Sequence, residues 1–380
     1  MRFRMILISA FILLISGIST AQVNGYIEKI LPTDGGQPVS VIYLWGTPYQ
    51  MGYAHGKLCA EEIRGFYDKF ISSASTAAGV PPEKLDEVWS MMAPYISDRI
   101  KEEMRGLAEG SGVELKTIQR VHSIPALSEY HCTFFAAWGK ATTNGRLHQI
   151  RALDYATEAH IQDHPAIIVY KPEGKNSFLS VGWVGFIGVV TGINEKRIAL
   201  SEIGDNYGNE KETLRGEPFI FLARRLLEEA NSLKEGVQII STAHRTSSYL
   251  YCIGDGKIPA AVALMTCKNF CYVFDPHSLP NRQLENVVYF SMGVDSDWNE
   301  KIYEILKPKW GKINRNVGIY DVMRGAGTGD LHAVHFDVTD LMMWFANAGV
   351  DGSPAYDHAF VEFDVADAFE KVKQLSMGEK

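Results

Sequence analysis

His131-Cys132-Thr133-Phe134-Phe135-Ala136-Ala137-Trp138-Gly139-Lys140 is an apolar, β-prone run headed by a thiol. Asn144-Gly145 follows, a pair that tolerates positive φ and so suits a tight hairpin turn, and the return segment 146–154 is again strand-like. The spacing predicts an antiparallel hairpin of residues 133–141 and 146–154 that carries Arg151 and Asp154 back towards Cys132. A thiol, a cation and a carboxylate are thereby gathered within two strands. Residues three apart on a regular strand point to opposite faces, so Arg151 and Asp154 both address Cys132 only with the help of a bulge, a strong twist or a strand end. The plain alternative is an ordinary ion pair between them at a sheet edge.

Ile150-Arg151-Ala152-Leu153-Asp154 is similar to the Gly-Arg-Asn-x-Asp segment that follows the nucleophilic cysteine and its hairpin in N-terminal-nucleophile (Ntn) hydrolases of non-peptide amides. Three further segments fit in the same order: Gly46-Thr47-Pro48-Tyr49-Gln50-Met51-Gly52-Tyr53-Ala54-His55-Gly56, Arg105-Gly106-Leu107-Ala108-Glu109-Gly110 and Gly192-Ile193-Asn194-Glu195-Lys196. Over residues 46–205 the chain resembles the isopenicillin N acyltransferase-like branch of the Ntn hydrolase superfamily, autoproteolytic cysteine acyltransferases and hydrolases related to the choloylglycine hydrolases. The C-terminal third resembles it only loosely.

The resemblance implies a four-layer αββα sandwich, self-cleavage of the His131–Cys132 bond, and Cys132 acting as both nucleophile and base through its thiol and freed α-amine. It gives Arg151 the role of favouring the thiolate and Asp154 that of orienting the ammonium. His131 is a candidate helper in processing. For the oxyanion, the bile-salt hydrolase relatives use a backbone amide shortly after the Asn-Glu-Lys segment, here near Ile203 and Gly204, and an Asn from a later Thr-Asn strand. That strand reads Val288-Tyr289-Phe290-Ser291-Met292, so Ser291 takes the Asn position as candidate donor, and Asn194 is a further oxyanion or substrate candidate. Glu202 and Asp205 beside this segment either contact substrate or belong to a solvated loop.

A net charge of -8 over 380 residues lacks the basic footprint of a nucleic-acid binder, and the composition is that of a globular chain able to bury a large core. A small-molecule acyl amide is the expected substrate, with no cofactor, no nucleic acid and no stable membrane anchor; an oligomer is left open. Residues 1–21 read as a signal peptide: Arg2 and Arg4, the apolar run from Met5 to Ile15, then Ser19-Thr20-Ala21 before a mature start at Gln22. The expected product is secreted or periplasmic. Of the five cysteines, Cys59, Cys252, Cys267 and Cys271 remain beside Cys132, with three pairings or buried free thiols as the alternatives. On one extended strand Cys267 and Cys271 would stand roughly 13 Å apart, too far to bridge.

The pattern before Cys132 predicts a mainly helical segment, residues 22–131, after a short strand near 40–45: a helix from Tyr49 through Phe70, one after Pro81-Pro82-Glu83 that Pro94 ends, and one over 96–109 stopped by Gly110-Ser111-Gly112. Residues 132–380 form the expected catalytic core. Strands are expected at 166–170, 178–181, 198–203, 248–253, 260–266, 331–336 and 341–346, with helices over 218–230, leaving Glu228 and Glu229 on the far side, over 233–242 and over 298–306. The class is α+β, two sheets packed face to face with helices outside.

Gly182, Gly185, Gly188 and Gly192 around Trp183 and Phe186 suit either close approach of backbone to a ligand or tight turns. His332 and His335 between Asp330 and Asp337 suggest a metal, but an alternating strand puts the two imidazoles on opposite faces, so no metal is expected. The leading function is an exported, self-processing cysteine hydrolase or acyltransferase of an N-acyl amino acid, lipid amide, bile-acid conjugate or β-lactam side chain. A phospholipase B-like esterase, or a non-catalytic binding protein on the same fold, is the alternative.

Overall fold

The segment before Cys132 supplies strands as well as helices. The computed structural model describes residues 23–78, 81–127, 131–205 and 213–378, so the signal peptide and Gln22 lie outside the described residues. β1 (Gly25–Ile30) pairs antiparallel with β2 (Val39–Gly46). α1 (Pro48–Leu58) begins at Thr47, whose hydroxyl accepts from the Gln50 amide while the Gln50 side chain accepts from the Thr47 amide. This reciprocal cap is written into Thr-Pro-Tyr-Gln. The expected helix from Tyr49 to Phe70 is two helices: α1 ends at Cys59 and α2 (Ala60–Ala78) sets off with a separate buried face of Ile63, Phe66, Tyr67 and Phe70. α3 (Lys84–Met92) gives way to a short turn at Pro94, α4 (Asp98–Ser111) ends on left-handed Gly112, and α5 (Leu115–Ser123), absent from the sequence expectation, follows.

Two of the sequence motifs prove to be one packing surface. α1 lies on α4 backbone to backbone: a Cβ on Gly52 would fall 2.0 Å from the Glu103 carbonyl oxygen, and one on Gly110 2.2 Å from that of Tyr53. Any side chain there would force the helices apart.

The expected hairpin forms as β3 (His131–Gly139) and β4 (Gly145–Asp154), with Gly145 at φ 75° in the turn. The chain continues through β5 (Pro165–Pro172), β6 (Phe178–Trp183), β7 (Thr191–Asn194) and β8 (Ile198–Gly204) to α6 (Phe219–Glu229) and α7 (Leu233–Thr242). Next come β9 (Tyr249–Asp255), β10 (Ala260–Thr266), β11 (Cys271–Phe274), β12 (Val287–Ser291) and α8 (Trp298–Leu306), then a π-helical stretch Val317–Arg324. β13 (His332–Asp337), β14 (Met342–Asn347), β15 (Val361–Asp364) and α9 (Val365–Met377) complete it. One sheet has the order β1-β2-β5-β6-β7-β8-β9-β10-β11, antiparallel except at β2–β5; the other runs β12-β3-β4-β13-β14-β15, antiparallel throughout.

β3 and β4 pack against β8 and β9, α6 and α7 cover the outer face of the larger sheet, and α8 with the π-helical stretch covers the smaller. The four layers are helix, sheet, sheet, helix. Between Cys267 and Cys271 the chain turns back, Thr266 pairing with Cys271 and the Cys267 amide donating to the Phe270 carbonyl, so the extended spacing expected for them does not occur; all five thiols are free.

Glu228, expected on the far side of α6, is buried. Arg224 reaches it through Nε at 2.9 Å and grips Glu103 of α4 through both Nη atoms at 2.9 and 2.6 Å, with Nη1 also donating to the Ile187 carbonyl. The guanidinium stacks 4.6 Å from the Tyr170 ring centroid. A buried charge is tolerable only when paired, so removing one partner is far more damaging than the pair's net worth. Glu103→Leu should lower the unfolding free energy by about 3–5 kcal/mol in urea titrations; a loss under about 1 kcal/mol would show that Arg224 needs only Glu228.

Candidate active site

The β3–β4 register decides which side chains meet. Cys132 lies opposite Leu153, Phe134 opposite Arg151, and His131 opposite Asp154. Alternation therefore turns Cys132 and Arg151 towards the larger sheet and Thr133 and Asp154 away from it. Arg151 crosses the gap to β8, its Nε donating to the Glu202 carbonyl at 3.1 Å and Nη2 to Glu202 Oε2 at 3.3 Å. The ordinary Arg151–Asp154 ion pair is thus replaced by Arg151–Glu202, fully buried, and Glu202 is no solvated-loop residue. Arg151 Nη1 and Glu202 Oε1 are buried without a hydrogen-bond partner among the described residues.

Asp154, at the strand end, is cradled by three donors: Thr328 Oγ1 at 2.7 Å, the Gly329 amide at 2.6 Å and the Asp330 amide at 3.0 Å. Burial nonetheless lifts its carboxyl to about 6, with these donors opposing. Burial also raises Glu202 above the ordinary carboxylate range, against the pull of Arg151. The Cys132 thiol, wholly enclosed, is pushed up to about 12 by burial; the Arg151 charge opposes this and the Glu202 and Asp154 carboxylates add to it. The sulfur is thus a protonated thiol within the field of all three groups.

Arg151 and Glu202 belong to the wall of an otherwise apolar cavity completed by Phe66, Phe70, Pro125 and Tyr155, with Trp183 and Phe186 from the glycine-rich segment. That segment is held by two neutral histidines of the N-terminal helices: His55 Nε2 accepts from the Gly185 amide at 2.9 Å and His122 Nε2 from the Ile187 amide at 3.0 Å. Burial depresses both imidazoles, which keeps them acceptors.

The other sequence candidates divide. Ile203 and Gly204 end β8 next to Glu202. Ser291 lies opposite Thr133, on the face away from the thiol, its Oγ 2.7 Å from Thr133 Oγ1. Asn194 is not in the cluster: Nδ2 donates to the Leu227 and Ala230 carbonyls and Oδ1 accepts from the Lys196 and Ile198 amides, so it ties the β7–β8 turn to the end of α6. For His131 the structure describes only the backbone. Asp205 Oδ1 accepts from the Val294 amide at 3.4 Å, joining β8 to the turn after β12, where Met292, at φ 60°, donates its amide to the Cys132 carbonyl at 2.9 Å. His332 points inward onto Trp183 and His335 outward to His148, on opposite faces as strand alternation requires. Thr328, in the turn Gly327-Thr328-Gly329, carried no sequence signal, and Glu202 carried only its place beside the oxyanion segment.

The raised Asp154 carboxyl has a linkage consequence. A folded value above the ordinary 3.8 means the folded chain holds this proton more tightly, so its stabilisation is complete below 3.8 and lost as pH climbs through about 6. The unfolding free energy of the parent relative to Asp154→Asn should fall between pH 4 and 6 and level off above about 7, measured by urea unfolding across that range. A difference that rises with pH would reverse the assignment.

Residues 141–278 match the family model described as acyl-coenzyme A:6-aminopenicillanic acid acyl-transferase. The chain is 28% identical to protein dcd1B of Dictyostelium discoideum, over 93% of this chain and 79% of that protein, and 28% identical to dcd1A of the same organism, over 91% and 88%. Among solved structures, the Caenorhabditis elegans N-acylethanolamine-hydrolyzing acid amidase ortholog aligns with a TM-score of 0.44 and 14% identity, over 55% of this chain and 93% of that one. The family match begins after Cys132 and takes in Arg151, Asp154, Asn194, Glu202 and Gly204. Over that segment the chain is similar to the acyl-coenzyme A:6-aminopenicillanic acid acyl-transferase family, in line with the resemblance carried by the sequence motifs.

Proposed function

We propose that this chain is an exported, self-processing cysteine amide hydrolase or acyltransferase. The observation that carries the reading is the buried Cys132 thiol at the head of β3, in the field of Arg151, Glu202 and Asp154, with Arg151 and Glu202 also walling an apolar cavity. Processing begins when Sγ of Cys132 attacks the His131 carbonyl carbon; the peptide C–N bond breaks, the nitrogen takes a proton, and water hydrolyses the thioester to a His131 carboxylate and a free thiol. The light chain is then residues 22–131 and the heavy chain 132–380.

The freed α-amine, with an ordinary pKa of about 7.7–8.0, takes the thiol proton and later gives it to the leaving amine. The sulfur attacks the acyl carbon of the substrate amide, and the thioester passes to water or to an acceptor amine. Arg151 favours the thiolate, and its Nη1, which has no partner among the described residues, binds a polar atom of the substrate. The cavity is only about 30 Å³ before cleavage, so an acyl group enters only once it opens; its Phe66, Phe70, Trp183 and Phe186 wall then favours an apolar acyl group. Pro125, in the same wall, lies shortly before the bond to be cut, so cleavage detaches that side of the cavity from β3.

Intact mass and N-terminal sequencing of purified protein should give one chain beginning at Gln22 and another at Cys132. Cys132→Ala should remain uncleaved, and Cys132→Ser should process more slowly because a hydroxyl is the poorer nucleophile. An uncleaved parent that hydrolyses amides as well as Cys132→Ala does would refute the mechanism. An uncleaved and inactive parent would favour a binding protein.

In cleaved protein, Arg151→Ala and Asp154→Ala should each lower kcat/KM for an acyl amide by about 100-fold or more while circular dichroism shows the fold retained. Turnover equal to the parent in both folded variants would remove these residues from the chemistry.

A further inference from the structure

Behind the thiol, on the opposite face of β3, three buried hydroxyls lie in line. Ser291 Oγ is 2.7 Å from Thr133 Oγ1, Thr133 Oγ1 is 2.9 Å from Thr328 Oγ1, and Thr328 Oγ1 donates to Asp154 Oδ2 at 2.7 Å. All three side chains are fully enclosed. The β3–β12 register sets Ser291 directly opposite Thr133, and Asn299 of α8 fixes the strand end by accepting from the Ser291 amide at 2.8 Å.

Each hydroxyl has one proton to donate. An ionised Asp154 can only accept, so the Thr328 proton goes to it; Thr328 oxygen then accepts from Thr133, and Thr133 oxygen from Ser291. We propose that Ser291, Thr133 and Thr328 form a proton-ordered hydroxyl chain anchored on Asp154, which commits the one Ser291 proton to Thr133 on the far face of β3 and leaves none to donate to an oxyanion on the thiol's face. Only a proton on Asp154 lets the chain invert, each proton then moving one oxygen along towards Ser291. Thr133 and Thr328 are positioning residues that act through Asp154. The oxyanion donors are then backbone amides on the thiol's face. The charged and titratable groups around the anchor are the Asp330 carboxylate, the Tyr356 phenol, the Cys132 thiol and, across the strand, the Arg151–Glu202 pair.

The catalytic consequence rests on the proposed function, but the proton order belongs to the folded chain and is read without turnover. In Cys132→Ala protein, the Asp154 carboxyl titration is followed by carbon-13 NMR and assigned by loss of its signal in Asp154→Asn. Adding Thr328→Val removes a donor and should raise the midpoint by about one unit, Thr328→Ser should restore it, and Thr133→Val should raise it by less. A midpoint unmoved by Thr328→Val overturns the chain. In cleaved, active protein at pH 7.5, Ser291→Ala should lower kcat less than about tenfold, whereas removing an oxyanion donor lowers it by about 100- to 1,000-fold. A loss of that larger size at unchanged KM would make Ser291 the donor and overturn the proposal. Failure of the parent to cleave counts against the proposed function and leaves the titration result standing.

Discussion

The Arg151–Glu202 pair spans the space between the two sheets, and the candidate site is organised around it. Both groups are wholly buried, one on β4 and the other on β8, so each charge is stable there only because the other is present. In surroundings that screen weakly, the guanidinium acts strongly on the neighbouring sulfur, and the carboxylate acts against it. Among the described residues, one nitrogen of the pair and one oxygen have no hydrogen-bond partner beside an apolar cavity, whereas a purely structural ion pair would be expected to satisfy both. The two sheets thus meet at a buried polar point.

The part of the chain before Cys132 is built into this frame. β1 and β2 extend the larger sheet through the parallel β2–β5 contact, α1 and α4 interlock through glycines, and Glu103 of α4 grips Arg224 of α6. His55 and His122 accept backbone amides of the glycine-rich segment that walls the cavity. A break at His131–Cys132 would leave two chains joined by the β2–β5 hydrogen bonds, the buried Glu103–Arg224 pair and the His55 and His122 bonds to the glycine-rich segment.

Much of the local structure was legible. The Asn144-Gly145 turn set the hairpin, the helix expected from Tyr49 starts at Pro48, the Gly110-Ser111-Gly112 stop ended α4, and strand alternation placed His332 and His335 on opposite faces. Alternation also showed that Arg151 and Asp154 could not both address Cys132 from a regular strand, and they turn to opposite faces. The readings that failed were those that extended one local pattern too far: a single helix through Cys59, an extended run through Cys267 and Cys271, and an outward Glu228.

Sequence by itself determined the strand and helix propensities, the turns and the presence of a cysteine, an arginine and an aspartate in one hairpin, because these depend on neighbours a few residues apart. Tertiary structure alone decided that Arg151 belongs with Glu202, that Asp154 belongs with the turn at Thr328, that Asn194 caps a helix end, and that Ser291 meets Thr133 behind the thiol. Those partners are about 30 to 170 residues distant along the chain, and they meet only when two separately formed sheets pack and choose their facing sides; nothing in either local pattern encodes that choice.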